Sequence, residues 1–318
     1  MRLIYNKIFL DHDTGMHPES QKRLMALGDL KEVPVINGEE YLGLVHRADY
    51  IKTVQEASRA NQRMDQDTIT STGSYAAAVH AVGAAIMASE TQDFAAIRPP
   101  GHHAYPSRAS GFCLFNNIAI AVQKLVNEGK RVMILDFDGH LGDGTYHIFK
   151  ETNKVLFWSL HQYPGYPGGG SEDDIGTGAG RGFSVNVPLP PHSGDDVFKN
   201  AIERFMPVVR QFAPDVVAVS AGFDAHQSDP LLDLRLSVNM YYDIGKLLAK
   251  EFTNVFAVLE GGYELEYMPK CLYNFVDGFN GAPQRNKEHH TDTDIMALQE
   301  YEFRADHLER NLSAFWKF

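Results

Sequence analysis

Short apolar runs rich in β-branched and aromatic residues recur along the chain at Phe94–Ile97, Arg131–Leu135, Val155–Ser159, Asp215–Ser220 and Asn254–Leu259. Each has the length and composition of a buried strand. Helix-like stretches lie between and around them. Tyr75–Ser89 is rich in alanine, and Asn116–Glu128 spaces its apolar residues helically and stops at Gly129. Asp195–Phe212 and Val238–Phe252 repeat that spacing. Buried strands alternating with amphipathic helices predict an α/β chain with one parallel sheet and helices on both faces. No repeat, low-complexity tract or linker interrupts the pattern, so residues 1–318 are expected to form a single domain.

The segment after each run carries the chemistry. Phe94–Ile97 leads into RPPGHHA, Arg131–Leu135 into DFDGHLGDGT, Val155–Trp158 into SLHQYPGYPGGG, Asp215–Val219 into SAGFDAHQSDP and Asn254–Leu259 into EGGYE. In open parallel sheets ligands bind beyond the carboxyl ends of the strands. Parallel strands would therefore bring His102, His103, Asp136, Asp138, His140, Asp224 and Tyr263 to one edge.

Composition narrows the class of function. Hydrophobic residues make up 44% and charged residues 22%, ordinary for a globular protein. A net charge of −12 lacks the overall basic footprint of a nucleic-acid binder. Two cysteines, Cys113 and Cys271, allow no disulfide framework and read as free thiols of a reducing, cytoplasmic protein. The start, MRLIYNKIFLDHD, turns polar too soon for a signal peptide, and no apolar run is long enough for a membrane span.

In Asp136-Phe-Asp138-Gly-His140, residues two apart on an extended chain point the same way, so Asp138 and His140 can share a cation. Alone, that string equally fits a solvated turn. Asp224 at the end of another strand shifts the balance, because clustered acids repel unless a cation or protons neutralise them. Two Asp and one His form a three-ligand site with an open position, the catalytic arrangement of zinc. The oxygen-rich set also suits Fe²⁺ or another divalent ion. The adjacent His102 and His103 favour acid–base work, with Asp136 and Asp143 free to orient them. Tyr263, after a glycine pair, reads either as a loop plug or as a phenol donor beside the metal. No Gly-x-Ser-x-Gly elbow or phosphate loop is present, and neither cysteine has a nucleophile's surroundings.

HDTGMHPESQKRL (12–24), RPPGHHA (98–104), GFCLFNN (111–117), LDFDGHLGDGT (135–145), SLHQYPGYPGG (159–169), FSVNVPL (183–189), SAGFDAHQSDPL (220–231) and EGGYE (260–264) occur in an order that resembles the histone deacetylase superfamily. The RPPGHH and HPE elements are similar to its class II branch. The resemblance implies the arginase–deacetylase fold and assigns the metal to Asp138, His140 and Asp224. It implies His103 as acid–base group with partner Asp143, His102 as electrostatic group with partner Asp136, and Tyr263 as oxyanion donor. Phe112 and Tyr166 match the tunnel walls, Tyr166 departing from the usual Phe, with Gly111 beside them, Leu231 at the mouth and Gly262 beside the floor. Structural potassium is implied too, at an inner site of Asp136, Asp138, His140, Ser159 and Leu160 and a second that includes Phe149, Thr152 and Val155.

Leu141 stands where the family often has a second His, and Asp143 where class II commonly has Asn. The expected reaction is zinc-dependent hydrolysis of acyl-lysine in peptides or proteins. An acetylpolyamine substrate is disfavoured by Leu231, where the polyamine-selective relative has Glu, and by a short segment before Tyr75. Asp65 or Asp67 could hold the peptide backbone, or could simply be solvated. Two rivals remain. A binuclear ureohydrolase would draw an extra ligand from His226, whose role the sequence leaves open, and an inactive acyl-lysine binder would need a defect that no catalytic position shows.

Overall fold

The computed structural model describes residues 1–318. Its strands are β1 (Leu3–Ile4), β2 (Phe94–Ala95), β3 (Val132–Asp136), β4 (Val155–Gln162), β5 (Ser184–Leu189), β6 (Val216–Ala221) and β7 (Val255–Leu259). They form one seven-stranded sheet in the order β1-β2-β7-β6-β3-β4-β5, with every pairing parallel. The central strands are uninterrupted apolar runs because both of their faces are covered.

The helices are α1 (Lys22–Met25), α2 (Ala48–Ala60), α3 (Ser74–Thr91), α4 (Asn117–Asn127), α5 (Asp143–Phe149), α6 (Asp195–Phe212), α7 (Val238–Glu251), α8 (Tyr267–Phe279) and α9 (Ile295–Leu312). α3 packs on β2 and β7, α4 on β3 and β6, α6 on β4 and β5, and α9 on β5, while α7 packs along α8. α3 is alanine-rich and buried nearly all round, as a helix wedged between sheet and outer chain must be. One hydrophobic cluster of 80 buried residues runs through the sheet and its helices. No helix is long and apolar enough to cross a membrane.

The strands anticipated from the apolar runs are present with small shifts: the 94–97 run pairs only at 94–95, and the 155–159 run continues to Gln162. The pattern missed β1, β5, α1, α2, α5, α8 and α9. β1 is two residues long, and β5 carries Pro188, which is tolerated because β5 lies at the sheet edge.

Strand order places the site. From β3 the chain moves outward through β4 to β5, then returns to lay β6 on the other side of β3 and continues outward to β7. The reversal opens a crevice between the carboxyl ends of β3 and β6, the switch point where open α/β sheets bind ligands. Asp136 closes β3 there, in register with Ser220 on β6 and Ser159 on β4.

Candidate active site

Asp138 and His140 follow β3, Asp224 follows β6, and their ligand atoms all lie within 4.8 Å of one another. All three residues are buried. His140 Nδ1 is 2.9 Å from Asp224 Oδ2 and 3.2 Å from Asp138 Oδ1. Backbone amides hold the carboxylates from behind: Gly261 N–H donates to Asp138 Oδ2 at 2.7 Å and Gly139 N–H to Asp224 Oδ1 at 2.7 Å. Gly222 and Gly261 press on these carboxylates so closely that a Cβ at either would collide with them. Burial disfavours charge on His140, yet Asp224 and Asp138 raise its pKa to about 10. A space between two buried carboxylates that calls so strongly for positive charge, with one nitrogen and two carboxylates converging on it, fits a divalent cation.

The histidine pair lies beside this cluster. His102 Nδ1 is 3.1 Å from Asp136 Oδ2, and its Nε2 is 3.8 Å from Asp138 Oδ1. Burial pushes the His102 pKa down, but Asp138 and Asp136 together hold it well above the ordinary imidazole range. His103 Nδ1 is 2.8 Å from Asp143 Oδ1, which leaves Nε2 toward the cavity. Burial and the neighbouring His102 lower the His103 pKa to about 4, against the pull of Asp143. The two histidines therefore differ at neutral pH, His102 cationic and His103 neutral. Environments that drive two titratable groups apart in this way are the usual means of dividing acid–base labour.

The pair is fixed from several elements. Glu260 Oε2, after β7, accepts from the amides of Gly101 (2.7 Å) and His102 (3.1 Å), while Ser220 Oγ donates to Oε1. Asn116, capping α4, donates through Nδ2 to the Ala104 carbonyl at 3.1 Å. Asp143 is the first residue of α5, whose start lies so close to residues 103 and 104 that Gly144 has no room for a side chain.

Tyr263 faces the same space. Burial, only partly countered by Arg23, raises its pKa well above 10, so the phenol keeps its proton as a donor. Its amide donates to Asp229 Oδ2 at 2.7 Å. Fully buried Arg23 holds the loop beneath: Nε donates to the Gly262 carbonyl at 2.6 Å, a terminal nitrogen donates to the Glu260 carbonyl at 2.5 Å, and the guanidinium lies 5.0 Å from the Tyr263 ring centroid. Glu19, shared between Arg23 and Arg98, satisfies the remaining charge.

A cavity of about 430 Å³ opens above, lined by His17, Pro18, Asp67, His103, Gly111, Phe112, His140, Tyr166, Leu231 and Tyr263. Phe112 sits edge-on between His17 (centroids 4.6 Å) and Tyr263 (5.7 Å). Tyr166 stands beside His103 (5.4 Å) and His140 (6.2 Å). Phe112 holds a left-handed φ of 70°, costly for a bulky residue, with its amide donating to Thr68 Oγ1.

The residues singled out for the metal, the histidine pair, the phenol and the walls thus lie together at one edge of the sheet. Gly262, expected beside the floor, directly precedes the lining residue Tyr263, and an added Cβ there would meet Met268 and Phe223. Of the two acids considered for the peptide backbone, Asp67 lines the cavity, whereas Asp65 Oδ1 accepts from the amides of Asp67 and Thr68. His226 turns away: its Nε2 is 3.0 Å from Glu288 and its ring stacks on Tyr267 at 4.7 Å. It offers no second-metal ligand, which removes the sequence's main support for a binuclear centre. Ser159 adjoins Asp136 across the β3–β4 pairing, Leu160 follows it on β4, and Phe149, Thr152 and Val155 lie along the α5–β4 connection. Both cysteines are free and buried. The sequence alone assigns no role to Glu260, Arg23, Asp229 or Tyr105. The first three sit inside the quoted motifs, but only contacts with residues far along the chain reveal what they hold.

A histidine pair and a phenol over a buried Asp-His-Asp cluster, at the switch point of a parallel sheet, define a hydrolase with a candidate metal site. Residues 17–279 match the histone deacetylase domain model. The chain is 34% identical to a probable deacetylase of Archaeoglobus fulgidus, over 99% of this chain and 98% of the relative. It is 34% identical to a histone deacetylase-like amidohydrolase of Pseudomonas aeruginosa (83% and 76% covered) and 37% to the chloroplastic histone deacetylase 14 of Arabidopsis thaliana (85% and 75%). The solved HDA15 HD domain superposes with a TM-score of 0.88 at 28% identity, covering 99% of this chain and 94% of that one. The chain belongs to the histone deacetylase family, and its fold is the arginase–deacetylase fold.

Proposed function

We propose that the protein hydrolyses the amide of an Nε-acyl-lysine in peptides or proteins, releasing the carboxylate and free lysine, with zinc held by Asp138, His140 and Asp224. The observation that carries this reading is that His103, paired with Asp143, and Tyr263 line one cavity together with His140 of the Asp-His-Asp cluster. When bound, the ion supplies Lewis acidity to the amide and makes a water nucleophilic near neutral pH. Fe²⁺ satisfies the same ligands.

The chain's own groups do the rest. His103, neutral at pH 7, takes the proton of the attacking water at Nε2 as the new C–O bond forms. Asp143 accepts the Nδ1–H and stabilises the cation so produced. The Tyr263 hydroxyl donates to the oxygen that gains charge. As the C–N bond breaks, His103 returns the proton to the departing lysine nitrogen. His102, whose pKa Asp138 and Asp136 hold above the ordinary imidazole range, serves as an electrostatic group beside the ligand carboxylate of Asp138. Phe112 and Tyr166 flank an aliphatic stem, and uncharged Leu231 sits at the mouth. Potassium at Asp136, Asp138, His140, Ser159 and Leu160, and at Phe149, Thr152 and Val155, would brace the loops behind the ligands.

A small acetylated amine is the second reading, favoured by one feature: Asp67 puts a carboxylate in the cavity lining that a distal ammonium could meet. Rates on an acetyl-lysine peptide and on N-acetylputrescine separate the two. The proposal expects kcat/KM to favour the peptide by about tenfold or more, the worth of roughly 1.4 kcal/mol of added transition-state contact. A strong preference for N-acetylputrescine would reverse the assignment.

A further inference from the structure

We propose that Tyr105 is a positioning residue for the acid–base pair, its hydroxyl fixing the second oxygen of Asp143 so that the first stays aimed at His103. The inference rests on the reading of His103 as the base. Asp143 Oδ1 is 2.8 Å from His103 Nδ1, and Tyr105 donates its hydroxyl to Asp143 Oδ2 at 2.8 Å. An ionised carboxylate only accepts hydrogen bonds, so each oxygen of a buried Asp needs its own donor. His103 supplies one and Tyr105 the other. Without the phenol, Asp143 could rotate about its side-chain axis or capture a water, and the imidazole would lose a defined partner. Hydrogen bonds to charged groups are the strong ones, and outer partners of this kind orient the groups that react.

Tyr105 is built into place. Its backbone pairs with Arg108, the Tyr105 amide donating to the Arg108 carbonyl at 3.0 Å, and its own carbonyl accepts from His46 Nδ1 at 3.1 Å. The Arg108 guanidinium lies 3.9 Å from the ring centroid, and the His147 ring on α5 flanks the ring at 5.0 Å. A cation over the ring draws density from it and strengthens the O–H as a donor. Ring and hydroxyl therefore have separate jobs. The ring lies against Arg108 and His147, and the hydroxyl donates to Asp143 with the Arg108 guanidinium close by.

The separation allows a clean test on the zinc-loaded protein with an acetyl-lysine peptide. Tyr105→Phe keeps the ring and every backbone staple. It should lower kcat by about tenfold, the worth of one hydrogen bond to a charged group, while KM and zinc content stay at wild-type values and the thermal midpoint falls by no more than a few degrees. In an Asp143→Ala background the same change should cost less than about twofold, because a group that acts only through Asp143 has nothing left to act on. A kcat within about twofold of wild type for Tyr105→Phe, or an equal loss with and without Asp143, would overturn the inference. His103→Ala in parallel separates the two claims: if it silences turnover while Tyr105→Phe does not, the base assignment stands and only the role of Tyr105 falls.

Discussion

Asp224→Asn is expected to leave the protein folded and all but inactive. The amide keeps an oxygen for the Gly139 N–H, so the loop after β3 retains its anchor. What disappears is one of two buried negative charges. Burial and Asp138 raise the Asp224 pKa, which means the folded chain holds that charge at a cost. Metal-stripped variant should therefore melt close to metal-stripped wild type, the relieved repulsion with Asp138 being offset by the lost partner of His140. The difference appears on adding zinc. Wild type gains stability as RT ln(1 + [L]/Kd), and the variant gains little because its site has lost a charged ligand. Turnover should fall by about 10³-fold or more, since Lewis-acid stabilisation is worth several kcal/mol and each factor of ten is about 1.4 kcal/mol. Calorimetric scans with and without zinc, beside acetate release, check both parts. Zinc stabilising the variant as much as wild type would show that the ion sits elsewhere.

His103→Ala should cut turnover by about 10²–10⁴, the usual worth of a positioned general acid–base group, while zinc still binds. His103 is not among the ligand group and touches the chemistry through its free Nε2. KM should change little, because the loss falls on the step in which protons move. His102→Ala provides the contrast: it removes a cation held by Asp136 and lying 3.8 Å from a ligand carboxylate, so it should disturb zinc affinity as well as rate. Equal effects on zinc binding from both variants would contradict the division of roles between the two rings.

Much of the fold and the site is legible in the residues alone. The central strands announce themselves because both faces are covered, which leaves Val132–Leu135 and Val255–Leu259 with no polar positions. The chemistry is legible for a related reason: parallel strands end on one edge, so the polar residue after each strand is already a site candidate. Elements whose residues satisfy two surroundings at once are harder to see. β5 alternates in composition and carries a proline, and α9 mixes buried Tyr301, Ala305 and Leu308 with exposed Ile295, Met296 and Phe303.

The supporting groups escape for a different reason. Arg23 holds carbonyls of residues 260 and 262, and Glu260 holds amides of residues 101 and 102, pairings that no local spacing reveals. His226 shows the converse. Two residues from a ligand, it invites a metal role, yet the backbone turn after Asp224 sends its ring to Glu288 and Tyr267.

The proposed reaction requires one ion gripped beneath the histidine pair, and acetate release from an acetyl-lysine peptide by stripped and zinc-restored protein tests that requirement most directly. Activity should vanish on chelation and return in full as zinc reaches one equivalent per chain. Undiminished release by protein shown to be free of metal, or recovery only at two equivalents, would contradict it.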